Sequence, residues 1–141
     1  MATITEDYVS FETAKLLKEK GFDSNEVGCH GGFYSERCYE FGHGIKTQSG
    51  QEVGIVSDDL TNSELEHDEY LRPTLQMAMK WLRKVHKIHI AIYPYGEYYC
   101  DNYQFDVYRN NNFVVSKDEG YITYEEACES AIKYCLENLI K

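Results

Sequence analysis

PTLQMAMKWLRKVHKIHIAIYPYG, residues 73–96, decides the fold, because the spacing of its apolar residues changes partway along. Up to Lys87 the spacing is helical. At ~100° per residue Leu75, Ala78, Met79, Leu82 and Val85 share one arc, and Lys80, Arg83, Lys84 and Lys87 share another. From Ile88 the period is two: Ile88, Ile90 and Ile92 project one way and His89, Ala91 and Tyr93 the other, until Pro94–Gly96 ends the run. A helix from just after Pro73 to about Lys87, with Pro73 suiting its first turn, is expected to run into a strand.

On the C-terminal side Tyr103, Phe105 and Val107 alternate in the same way. Asn110-Asn111-Asn112 supplies residues that tolerate left-handed turn geometry, and Phe113–Ser116 returns, which reads as a hairpin. Thr123-x-x-Glu126 is a capping-box pattern opening a last helix. Ala127, Ala131, Cys135 and Leu139 form its apolar face, and Glu129 and Lys133 form an i,i+4 pair on the polar face. Residues 73–141 therefore read α-β-β-β-α, an α+β fold in which an antiparallel sheet of three or more strands is packed by helices on one face. On the N-terminal side, Ser10 caps a helix over Phe11–Lys20, and Gly21 and Phe22 end it as a Schellman motif. Between Val27 and Val56, Phe33, Tyr34, Tyr39, Phe41 and several glycines suggest further short strands or a hairpin. No linker separates this β/loop segment, 23–71, from the rest, so one domain over 1–141 is expected.

The chain carries a formal charge of -10, distributed unevenly. Glu52, Asp58, Asp59, Glu64, Glu66, Asp68 and Glu69 fall between Lys46 and Arg72 with no cation among them, immediately before the basic helix. That acidic segment reads as a solvated loop, which lies against the basic helix face or leaves it free. Lys80, Arg83, Lys84 and Lys87 are the candidate ligand-binding residues for an anion or an acidic partner. Trp81, at the border of the two arcs, either stacks a base there or caps the edge of the core. His86 falls within the apolar arc and reads as a partly buried, hydrogen-bonded histidine. The MATITEDYVSFETAK start has no apolar h-region, and no run approaches the ~20 apolar residues of a membrane span. The five cysteines at irregular spacing, with no N-x-S/T acceptor, lead to an expectation of reduced thiols in the cytoplasm.

The α-β-β-β-α order is that of a double-stranded-RNA-binding module. Such a module places Lys or Arg at the start of its last helix to meet phosphates, where this chain has Thr123-Tyr124-Glu125-Glu126. Affinity for nucleic acid comes mostly from neutralising phosphates, so nucleic acid is not the expected partner. Cys29-His30, Cys38 and His43 are the only candidate metal ligands, but eight residues separate the first two cysteines and zinc sites favour C-x2-4-C. No metal and no cofactor is expected. Cys128 and Cys135 lie on the apolar face of the last helix, where cysteine acts as a small hydrophobe. No phosphate loop, G-x-G-x-x-G, G-x-S-x-G elbow or H-E-x-x-H occurs, and the adjacent carboxylates Asp58-Asp59 and Glu125-Glu126 point apart on a regular element. No catalytic residues are assigned.

The blocks FETAKLLKEKGF, RPTLQMAMKWLRKVHKIHI and YITYEEACESAIKYCLENLIK resemble those of small uncharacterised proteins of gut Bacteroides-type bacteria and their phages, over residues 10–22 and 72–141. The resemblance implies carriage on mobile elements and a cytoplasmic α+β protein. It implies no activity, cofactor or site residue. The leading expectation is an accessory protein that binds a host or viral protein, in keeping with 13 tyrosines, a residue enriched at interfaces. The alternative is a protein that captures a small phosphorylated metabolite or signalling nucleotide on the basic helix. What separates the two is whether that helix faces a pocket or a flat surface. A minor virion component, with self-association and a large exposed apolar patch, is a third reading.

Overall fold

The structure is a computed structural model that describes residues 7–22, 33–35, 45–46, 52–54, 69–96 and 102–141. Within them lie helices α1 (Phe11–Glu19), α2 (Leu75–His86) and α3 (Tyr124–Asn138). Strands are β1 (Phe33–Ser35), β2 (Ile45–Lys46), β3 (Glu52–Gly54), β4 (Glu69–Leu71), β5 (Ile88–Tyr95), β6 (Asn102–Arg109) and β7 (Asn112–Tyr121).

The helix limits follow from side chains that replace missing backbone partners. The Ser10 hydroxyl accepts from the Thr13 N–H, and Thr74 and Thr123 do the same for Met77 and Glu126. In α3 the Glu126 carboxylate reaches back to the N–H of Ile122 at 3.1 Å, one residue before the cap. Gly21, at φ 93, takes the left-handed position that ends α1, and the Phe22 N–H donates to the Leu17 carbonyl at 2.8 Å, completing the Schellman motif.

Both ends of α2 fall within a residue or two of expectation. Pro73 lies before the cap rather than in the first turn, because Thr74 holds the capping position and the Pro73 carbonyl accepts from the Val9 N–H at 3.0 Å. Leu75 likewise donates to the Asp7 carbonyl at 2.9 Å, so residues 7–9 run antiparallel to 73–75. At the other end α2 stops at His86. Lys87 adopts the left-handed conformation, φ 58 and ψ 33, which turns the chain directly into β5.

β5, β6 and β7 form an antiparallel sheet in that order. Asn110 and Asn111, both at positive φ, make the two-residue turn between the paired residues Arg109 and Asn112, the pattern of a type I′ hairpin. Ile88, Phe105 and Val107 point into the core, with Ile90, Ile92 and Tyr103 packed beside them, and α2 and α3 cover that face. The C-terminal order is therefore α-β-β-β-α. β7 carries an irregularity: Tyr103 pairs with Tyr121 and Phe105 with Lys117, so Gln104 stands opposite Asp118, Glu119 and Gly120. Gly120 sits at φ 77 in this bulge.

The strands around Phe33 form a second antiparallel sheet, ordered β2-β3-β1-β4, rather than further strands of the first. Its edge strand β4 meets α1, and Tyr34, Tyr70 and Leu71 join a buried cluster that extends from Val9 to Ile140. Tyr39 and Phe41 lie outside the described residues. Arg72 ties the N-terminal segment to this sheet, its guanidinium 3.9 Å from the Tyr8 ring centroid and 5.6 Å from that of Tyr34.

Glu129 and Lys133 were expected to pair with each other along α3. Both instead reach α1. Lys133 Nζ lies 3.1 Å from Glu12 Oε2, and Glu129 Oε1 accepts from the Ser10 N–H at 3.0 Å, from the Thr13 hydroxyl at 2.5 Å and from the Ser10 hydroxyl. The packing of α1 across α3 puts a carboxylate at the positive end of the α1 dipole, a better position than solvent beside Lys133.

Candidate functional site

The basic face of α2 is built by helical spacing and left outward by the burial of the opposite arc. Leu75, Ala78, Met79 and Leu82 are buried, which fixes the rotation of the helix and turns Lys80 and Lys84 to the surface. Lys87 is also exposed and Arg83 is half-buried. No ion pair joins any of the four to a carboxylate among the described residues. Lys87 Nζ donates to the Lys84 carbonyl at 3.3 Å and so folds back over the end of α2. Arg83 and Lys84 occupy the last turn, where cations offset the negative end of the helix dipole by about 0.3–1 kcal/mol each.

Trp81 does not belong to this face. It is 1% exposed, edge-on to Phe22 at 5.4 Å and to His86 at 4.7 Å, so its indole serves the core and has no face for stacking a base. Val85, expected in the apolar arc, is 41% exposed because that arc is wider than the surface covering it in the last turn. His86 is half-buried, but its Nε2 has no hydrogen-bond partner, contrary to the expected bonded histidine. Burial, and then the charge of Arg109, push its pKa below the usual histidine value. The imidazole therefore adds no charge to the basic face at neutral pH.

A second feature lies at the β7 edge of the sheet's packed face. Between α3 and the bulged end of β7 is a groove of about 350 Å³. Phe105 and Tyr121 stack at its base with centroids 5.7 Å apart. Tyr134 and Glu137 of α3 face Lys117 and Glu119 of β7 across it. None of the four α2 cations lines this groove. The sequence could not disclose it, since Tyr121 reaches Phe105 only because the bulge shifts the register of β7.

Glu125 and Glu126 are exposed at the start of α3, where an RNA-binding module of this strand order would present cations. Cys29, His30, Cys38 and His43 lie outside the described residues, as do residues 55–68 of the acidic segment. Among the described residues no group of three or more His, Cys, Asp and Glu side chains is placed to hold a metal. No described helix is long and apolar enough to cross a membrane.

No family model, curated protein or solved structure matches the chain. Function is therefore read from the two surfaces themselves. The α2 face presents positive charge, and the α3–β7 groove, which none of its four cations lines, presents a cavity with aromatic walls and mixed charge.

Proposed function

We propose that this protein is a non-enzymatic accessory protein, carried by a phage or mobile element, that acts by binding an acidic surface of a host or viral protein through the basic face of α2. The observation that carries the reading is the exposure of Lys80, Lys84 and Lys87 with no carboxylate partner among the described residues. In a chain of formal charge -10 such a stripe is a local field opposite in sign to the net charge, and a complementary acidic partner is what it suits. A protein surface fits better than a small phosphorylated metabolite or nucleotide, because Trp81 is buried and the groove of about 350 Å³ lies elsewhere. The resemblance of residues 10–22 and 72–141 to phage-carried proteins supports the biological setting.

The test is a fluorescence-anisotropy titration with a labelled acidic peptide of alternating Glu and Ala. The double variant Lys80→Glu/Lys84→Glu is compared with Lys20→Glu/Lys141→Glu, which makes the same change of charge elsewhere. The α2 variant should weaken binding by about tenfold or more and flatten its salt dependence. Equal losses in both variants would reduce the effect to net charge and remove the site. A nucleotide-induced thermal stabilisation abolished by Lys84→Glu would instead transfer the face to the small-ligand reading.

A further inference from the structure

We propose that the groove between α3 and β7 binds an alkyl ammonium group, in competition with the protein's own Lys117. Its volume, about 350 Å³, is at the small end of the range for ligand sites. Its base is the stacked pair Phe105 and Tyr121, and one wall is the half-buried ring of Tyr134. Aromatic faces attract cations through their quadrupoles. The groove demonstrates this with its own resident, since Lys117 Nζ lies 5.7 Å from the Tyr134 ring centroid and 3.9 Å from Glu119 Oε1.

The charge around the opening favours a second cation over an anion. Lys133 also lines the groove but is paired with Glu12 at 3.1 Å, and beside that pair stand one ammonium, Lys117, and the two carboxylates Glu119 and Glu137. Glu119 is oriented by the Tyr121 hydroxyl, which donates to Oε2 at 3.3 Å, and its other oxygen faces Lys117. The contact between Lys117 and Glu119 is long and both side chains reach solvent, 36% and 63% exposed, so it is a weak pair that an incoming ammonium can replace. The overall charge of -10 draws cations to the molecule and disfavours anions. The matching chemistry is a primary ammonium on a slender alkyl chain, with methylenes against Phe105 and Tyr121 and the charge between Tyr134 and the carboxylates. A free polyamine and a lysine side chain share that chemistry.

The experiment is isothermal titration of the full chain with spermidine and, separately, with Nα-acetyl-lysine methylamide. Saturable binding of either upholds the ammonium site, and the tighter of the two identifies the source. Tyr134→Leu should weaken binding about three- to fivefold, the size of a partly solvated cation–π contact. Glu119→Gln, at an exposed position, should weaken it about fivefold, and Lys117→Met should strengthen it by a similar factor by vacating the groove. Glu125→Gln removes the same charge from the far end of α3 and should change little. Absence of saturable binding by both probes, or an equal effect of Glu125→Gln and Glu119→Gln, would overturn the proposal. Circular dichroism of each variant establishes that the fold is retained.

Discussion

Replacing Glu129 by alanine should detach the start of α1 from α3, and its cost can be worked from the contacts. One carboxylate oxygen accepts from the Ser10 N–H, the Ser10 hydroxyl and the Thr13 hydroxyl. Thr13 is fully buried, so its charge-assisted bond counts at about 1.5 kcal/mol, the low end for a bond to a charged group. The two Ser10 bonds are exposed and contribute only a few tenths each after solvent competition. The interaction of the carboxylate with the α1 dipole adds about 0.3–1 kcal/mol. Ser10 still caps Thr13 at 3.2 Å in the variant, so no full cap is lost. The sum is a destabilisation of about 2–3 kcal/mol, while Glu129→Gln, which keeps an acceptor oxygen, should cost about 1 kcal/mol. Urea unfolding followed by the fluorescence of Trp81, the single tryptophan, reports the change in midpoint. A cycle with Thr13→Val isolates the pair. A cost below about 0.5 kcal/mol for Glu129→Ala, or no coupling to Thr13, would refute the account of this junction.

Three further outcomes follow from buried or strained groups. His86 has a folded pKa below its unfolded value, first from burial and then from Arg109, so its contribution to stability is complete above about pH 6.5 and is lost as pH falls through the depressed value. His86→Phe should flatten the decline below pH 6.5 in urea midpoints and, by removing the orphaned Nε2, raise stability by about 1 kcal/mol; an unchanged acid slope would count against it. Burial pushes the Cys128 thiol up to about 11 and the Cys135 thiol up to about 12. Both should resist alkylation at pH 8 in the native protein and react on unfolding, as peptide mapping would show. Asn111→Gly should stabilise the β6–β7 hairpin by about 0.5 kcal/mol, since φ 68 costs glycine less than asparagine; calorimetry would detect the rise in Tm.

What could be read from the sequence was what repeats along it. The change of period at Ile88 located both α2 and β5, and the alternation of Tyr103, Phe105 and Val107 located β6 and its inward face. Local caps were legible because Ser10, Gly21 and Thr123 act on neighbours within a few residues. The partner of Glu129 was not, since i,i+4 spacing points to Lys133 whereas the hydroxyls that bind it are more than 100 positions away. Trp81 sits on the border of two arcs in projection, and only the packing of Phe22 and His86 decides that its ring is enclosed. The basic face needed helical spacing alone and was visible, but the α3–β7 groove depends on a register shift that no pattern in β7 announces.

The junction of Glu129 with Ser10 and Thr13 also sets an order of events during synthesis. α1 leaves the ribosome well before α3, since the carboxylate that completes its first turn is encoded 119 residues after Ser10. At about 5–20 residues per second the nascent helix waits several seconds or more for that partner. Until then Leu17 and Phe22, enclosed in the finished fold, lack the part of the core cluster that α3 supplies. Completion of the first turn of α1 is thus a late event, tied to the arrival of α3.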